Sequence, residues 1–424
     1  MRTTRRSGVG AALFAVLGLL TGLLAGCSSG HDTSLLGAHS AVSRAAAQQL
    51  LDRRATALRA GDLPGFLSTV DPDDKALVRR QQRYFANIRQ LPVAELSYEV
   101  LKSDWPAGLR SKQWDDQVSV PQVRVSMQLA GFDTVPVQRV TGFALARRHG
   151  QVVVVSELTG AGKPFPGSNP APWDLVRIHV RSDEATLQLY DDTTWGRAAS
   201  VSTLLHDGIK SVRDALPFDW DGHAVVYVFG RKVVLDSFEG VPGGNIAHLG
   251  AMTFPMYAVP GQPAVAGTRF TLLPSSLGAG PEFLGRIVRH ELTHVALGDR
   301  DDGTPIWFAE GIAEYMGARQ IPQDERRIAT VALVRARDRV RAMPASRGFN
   351  GDDQAWHYAL SWMACDYLAE TRGESVLWRL MDALHDHGKG TKESGQDAVL
   401  RRVLGYDSHE LARRAAAHIR SIYG

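Results

Sequence analysis

The chain has 424 residues, 44% of them hydrophobic and 22% charged, an ordinary globular composition with the length for two packed units. It carries 48 Lys and Arg against 45 Asp and Glu, and three of those arginines, Arg2, Arg5 and Arg6, stand at the extreme start. Setting them aside leaves as many cations as anions, so net charge gives no support to nucleic-acid binding, which needs a concentrated positive footprint. Cys27 and Cys365 are the only cysteines; they offer no disulfide framework and match no zinc-ligand spacing.

Residues 1–30, "MRTTRRSGVGAALFAVLGLLTGLLAGCSSG", run from the three arginines through an uncharged apolar stretch, Val9 to Gly26, to Cys27. That order reads as an export signal, and its glycines make it a weak membrane span. The tetrapeptide Leu24 to Cys27, "LAGC", resembles the lipobox of bacterial lipoproteins. The resemblance implies cleavage after residue 26, lipidation of Cys27 and a body tethered to the extracytoplasmic face of the membrane. An uncleaved N-terminal anchor is the other reading, and it places the body on the same side. Lipidation would consume Cys27, leaving Cys365 as a small buried apolar residue.

After a flexible spacer over 27–40, "AVSRAAAQQLLDRRATALRAGDLPGF" has helical spacing broken by Gly61 and Pro64, and a second helix is expected from Lys75 to Arg89. The arginines of "LVRRQQRYFANIRQ" read as its solvated face. Strand-like runs follow, "AELSYEVLKSDW", "QVRVSMQLAGF", "VQRVTGFALARRHG" and "QVVVVSEL", with a turn at His149 and Gly150. Helices followed by an antiparallel meander predict an α+β accessory domain over 41–158. It resembles the cone-like nuclear-transport-factor-like and cystatin-like folds. The Gly- and Pro-rich stretch 159–171 reads as a linker.

From 172 to 424 a second α+β unit is expected, sheet first and helices after. Its early runs are "DLVRIHVRS", "ATLQLYDD", a helix over about 196–216, "HAVVYVFG" and "GTRFTLLPSSL". The last of these is a candidate to line a cleft and pair with an extended peptide. The polar stretch 385–395, "HDHGKGTKESG", reads as a surface loop.

The chemistry concentrates in "PEFLGRIVRHELTHVALG". Pro281 at the opening, Glu282 in the first turn and Gly298 at the stop predict one helix. Four residues advance about one turn, so His290 and His294 share a face and can meet a single ion. A catalytic zinc site needs three protein ligands and one open position. The following stretch "DRDDGTPIWFAEGIAEY" offers a second helix, with Thr304 as N-cap and Pro305 at its first position, that carries Glu310 and, one turn on, Glu314. Glu291 would face the open position, where bound water has its pKa lowered to about 7, as the general base.

The combination of HExxH with W-x-x-E-G-x-A-x-Y resembles the gluzincins, the thermolysin-like and peptidase-MA-like zinc metallopeptidases; Trp307, Glu310, Gly311, Ala313 and Tyr315 stand at the matching places. The resemblance implies a thermolysin-like zincin domain over 172–424, Zn2+ held by His290, His294 and Glu310, and a peptide or protein substrate. Glu314 either accepts the other ring N–H of a liganding histidine, exchanges roles with Glu310, or is a solvated glutamate. Tyr358, nine residues before Tyr367 and Leu368, matches a further gluzincin helix and is either the oxyanion donor or a packing aromatic, with His357 a weaker substitute. One departure matters. Gluzincin aminopeptidases carry a G-x-M-E-N segment whose glutamate grips the substrate amine, whereas "GAMTF" at 250–254 lacks that glutamate and lies farther upstream, so the likeness is set aside and endopeptidase action is favoured. Two rival classes stand beside the peptidase: a binding lipoprotein that keeps a zincin fold without turnover, and an envelope protein whose metal only staples helices.

Overall fold

The computed structural model describes residues 42–104, 118–238, 249–388 and 395–424. The expected signal sequence, Cys27 and the whole of the spacer lie outside the described residues. Helix α1 (Arg44–Ala60) starts at Ser43, whose side chain accepts from the Ala46 N–H, and stops at Gly61, which takes a left-handed cap conformation. A short α2 (Leu63–Leu67) and α3 (Lys75–Ile88) follow, α3 capped by the Asp74 carboxylate. Strands β1 (Val93–Asp104), β2 (Pro121–Leu129) and β3 (Val137–Gly142) form an antiparallel sheet in that order. Strict in-out alternation along β2 puts Val123, Val125, Met127 and Leu129 in the core. The run read as one strand over 137–150 divides, because β4 (Ala144–Arg148) leaves the β3 sheet to pair with β5 (Gln151–Ser156). Their turn has positive φ at both His149 and Gly150, as a two-residue hairpin of matching twist requires.

The second half opens with α4 (Pro172–Leu175), β6 (His179–Ser182), β7 (Thr186–Tyr190), α5 (Ala198–Ala215), β8 (Ala224–Val228), α6 (Lys232–Leu235), β9 (Ala251–Tyr257), β10 (Val265–Leu272) and α7 (Pro274–Leu277). The sheet order is β6-β7-β8-β10-β9, with β7, β8 and β10 parallel and the two outer strands antiparallel to their neighbours. Every residue of β7 and β8 is buried, because both faces of the sheet are covered. Tyr190, Val226 and Phe270 pack with the helical half, while Leu187, Val225 and Tyr227 pack with the core of the first half. Further ties cross between the halves: the Asn87 amide donates to the carbonyls of Trp173 and Val176, and Arg269 pairs with Asp133, both nearly inaccessible. Within 159–171, Phe165 is buried and the Asn169 N–H donates to the Val140 carbonyl.

Helices α8 (Pro281–Leu297), α9 (Ile306–Ala318), α10 (Thr330–Arg335), α11 (Gln354–Arg372), α12 (Ser375–Gly388), α13 (Gln396–Leu404) and α14 (Ser408–Tyr423) complete the described chain. Trp307, Phe308, Leu360, Trp362 and Cys365 form the centre of their core. Two glycines set how closely the helices of the suspected site approach. A Cβ on Gly311 would sit 2.6 Å from the Ser361 carbonyl oxygen of α11, and one on Gly317 would sit 2.9 Å from the Arg286 carbonyl oxygen of α8. Arg289 seals the second contact by donating twice to the Gly317 carbonyl. No helix among the described residues is long and apolar enough to cross a membrane.

Two local readings of the sequence need correction. Strand β10, read as a partner for an extended peptide, has β8 on one side and β9 on the other, so it has no free edge. The edge is β9, a strand whose short run beside Pro255 gave no strand pattern. Helix α12 extends to Gly388 and takes up the start of the stretch read as a surface loop, with His385 Nδ1 2.9 Å from the Asp302 carbonyl oxygen.

Candidate metal centre

The i, i+4 spacing on α8 does what helix geometry requires: the Nε2 atoms of His290 and His294 lie 3.3 Å apart. Helix α9 crosses α8 closely and brings Glu310 Oε2 to 3.2 Å from His290 Nε2 and 3.5 Å from His294 Nε2. Both rings are oriented from behind. His290 Nδ1 lies 3.4 Å from Glu314 Oε1, and His294 Nδ1 lies 3.4 Å from Asp301 Oδ2. A proton on each Nδ1 leaves each Nε2 with its lone pair turned inward, the tautomer a metal ligand needs. Glu314 is held in turn by the Arg286 guanidinium, which also lies 4.2 Å over the Trp362 ring.

Glu310 Oε2 is buried and, despite its closeness to the two rings, makes no hydrogen bond. A buried carboxylate oxygen without a donor is costly. Two imidazole nitrogens and this oxygen fall within one ligating cluster, a donor set suited to Zn2+. Four carboxylates, Glu291, Glu310, Glu314 and Asp301, gather here around the histidines with Arg286 as the nearby guanidinium. The proton affinities reflect that excess of negative charge. Burial opposes the charged form of His290, but contacts with Glu310 and Glu314 outweigh it and hold the ring up to about 9. His294 is raised well above its ordinary range, burial again opposing and Glu310 and Asp301 prevailing. Glu310 and Glu314 are depressed, the histidines and Arg286 overcoming desolvation. A divalent cation would take the place of the protons these rings otherwise hold.

Glu291 sits beside the cluster, 5% exposed, and burial raises its carboxyl against the pull of His290 and His294. Its Oε2 accepts a 2.6 Å hydrogen bond from Thr253 Oγ1 of β9. Tyr358 of α11 is close by, its ring centroid 6.3 Å from that of His290, with its hydroxyl donating to Asn350 Oδ1 at 3.2 Å. Burial, followed by the charges of Glu310, Glu314 and Glu291, pushes its phenol well above its ordinary range, so it stays a neutral O–H donor. His357 is not brought to the site; its Nδ1 lies 2.8 Å from the Phe349 carbonyl oxygen.

The helix that carries Glu310 starts one residue later than expected. Pro305 is its N-cap and the Thr304 hydroxyl donates instead to the Asp301 carbonyl, which tightens the turn that presents Asp301. Sequence reasoning missed Asp301, Thr253 and Arg286. Asp301 is one of three aspartates within Asp299–Asp302, and spacing alone does not choose among them. Thr253 lies in the "GAMTF" segment set aside as a chance likeness, and it reaches the site because the antiparallel return of β10 folds β9 beside α8. Arg286 precedes His290 by one helical turn, the one signal that places it on the histidine face.

A second group of similar residues, Asp366, Glu370 and His418, joins α11 to α14. There His418 Nε2 lies 2.9 Å from Asp366 Oδ2, and Arg326 donates to Asp366 Oδ1 at 3.2 Å.

No protein-family model matches the chain, and no curated protein matches it. Solved structures to which it is similar include M1 zinc metallopeptidases. One is the M1 zinc metallopeptidase from Deinococcus radiodurans, at 15% identity and a TM-score of 0.34, covering 76% of this chain and 69% of that one. A mutant of that enzyme bound to a Tyr-Ser-Ala substrate aligns at 13% identity with a TM-score of 0.34 and the same coverage. A two-domain M1 zinc metallopeptidase mutant bound to L-arginine aligns at 13% identity and a TM-score of 0.33, covering 77% and 69%. Likeness at this level adds nothing to what the side chains themselves carry.

Proposed function

We propose that the chain is a zinc-dependent peptidase, with Zn2+ held by His290, His294 and Glu310 and with Glu291 as general base. The observation that carries the reading is the convergence of two imidazole Nε2 atoms, each backed by a carboxylate on Nδ1, on a buried Glu310 oxygen that has no hydrogen-bond donor. When bound, zinc supplies Lewis-acid polarisation of a peptide carbonyl and acidifies water. Glu291, in a buried position that raises its proton affinity, takes a proton from the attacking water and returns it to the departing amine. The Tyr358 O–H serves as hydrogen-bond donor to the oxygen on which charge develops. Strand β9, "AMTFPMY", has no carboxylate to hold a free α-amine, which favours endopeptidase action.

The reading extends to the rest of the chain. Residues 172–424 form the thermolysin-like peptidase unit, 41–158 a cone-like accessory domain, and lipid on Cys27 tethers the body to the outer face of the membrane. Fatty-acid labelling of the full chain, lost in Cys27→Ala, tests the tether.

Digestion of an unstructured peptide library by the full-length, zinc-supplied chain tests the chemistry. Cleavage is expected from the wild type and none from Glu291→Gln, with zinc content equal in both. Wild type and variant that bind peptides alike and cleave nothing would make the chain a binding lipoprotein instead.

A further inference from the structure

The base proposed above is anchored from outside its own helix. The Thr253 hydroxyl carries one proton and lies 2.6 Å from Glu291 Oε2 but 3.4 Å from the Glu291 carbonyl oxygen, so the carboxylate receives it. That leaves Oε1 as the oxygen available to take a proton from water. A glutamate has three side-chain torsions, and a base that must meet its proton within hydrogen-bond reach loses rate when those torsions wander.

The anchor is itself rigid. Met252 and Phe254, the neighbours of Thr253, are buried in the core on the opposite face of the sheet, and strand alternation turns the Thr253 side chain towards α8. Behind β9, Phe254 is in register with Arg269, whose buried pairing with Asp133 fastens the sheet to the first half of the chain. The main chain repeats the pattern. The Gly250 carbonyl accepts from Leu273 N–H and Ala258 N–H donates to the Ala264 carbonyl, so even-numbered residues bond to β10. The hydroxyl of Thr253 is therefore presented to α8 by a strand fixed on its inner edge and on its core face.

We infer that Thr253 is a positioning residue for Glu291, holding one carboxylate oxygen so that the other is kept in place for proton transfer. The inference rests on the peptidase reading. A merely structural threonine would matter through packing, whereas a positioning hydroxyl matters through its proton, and two substitutions separate these. Thr253→Val keeps shape and removes the hydroxyl; Thr253→Ser keeps the hydroxyl and removes a methyl group. Steady-state cleavage of a peptide substrate of the full chain, with zinc content and thermal unfolding measured on the same samples, should show Thr253→Val losing about 10- to 100-fold in kcat. KM should stay within about twofold and zinc and Tm should be unchanged, with Thr253→Ser restoring kcat to within about threefold of wild type. Wild-type kcat in Thr253→Val, or equal loss in the Ser and Val variants, would overturn the inference while leaving the peptidase reading intact. A wild type that cleaves nothing would overturn the peptidase reading, and the inference with it.

Discussion

Among the described residues, two clusters of histidine and carboxylate stand in the helical half, built from the same residue types and meaning different things. Around His290 and His294 the carboxylates Glu314 and Asp301 face the Nδ1 atoms, so both Nε2 atoms turn towards Glu310 Oε2, a buried oxygen that makes no hydrogen bond. Around His418 the ring Nε2 faces Asp366 Oδ2, the other Asp366 oxygen takes Arg326, and Glu370 is largely exposed. In the second cluster the imidazole and the Arg326 guanidinium already occupy the two oxygens of Asp366. Proximity of ligating residue types is therefore a poor guide to a metal; the direction in which their protons point separates an ion site from a salt-bridged helix junction.

Substitutions that treat the two clusters alike should part them. The largest effect is expected from His294→Ala, which should abolish stoichiometric zinc retention through dialysis, read by elemental analysis. His418→Ala should keep one zinc per chain. Retention by the first variant or loss in the second would reverse the assignment. Next comes the support of the ligands: Glu314→Gln and Asp301→Asn should each weaken zinc about 10- to 100-fold in competition with a chelator. His418→Ala should instead lower stability by about 1–3 kcal/mol in denaturant unfolding, through the donor lost to buried Asp366. A smaller effect concerns pH. In the metal-free protein His290 is held up to about 9, above its ordinary 6.5. A raised histidine stabilises the fold below the unfolded value and loses that contribution as pH rises through the folded one. The metal-free protein should thus melt at a lower temperature at pH 9 than at pH 6.5, and His290→Gln should flatten that slope.

The parts of this arrangement legible in the sequence are the local ones. Pro281, Gly298 and the four-residue histidine spacing fix α8 because they act within one helix, and Glu310 follows from a second helix one short loop away. The α+β character and the hairpin at His149 and Gly150 are local in the same sense. What the sequence hid is long-range. Thr253 meets Glu291 because of sheet order, and the order β8-β10-β9 is set by how β10 returns rather than by any pattern in "GAMTF". The split of the 137–150 run between two sheets has the same origin, since both parts have strand character and only their partners differ. Gly311 was legible as a motif position, but its physical reason, the closeness of the Ser361 carbonyl on α11, needs the packed helices.

The metal centre is tested most directly by X-ray absorption at the zinc edge on the full-length, zinc-loaded chain. Two imidazole nitrogens at about 2.0–2.1 Å with a carboxylate oxygen, unchanged in His418→Ala and lost in His294→Ala, is the expected result. A fourth protein donor, a sulfur ligand, or a spectrum altered only by His418→Ala would contradict it.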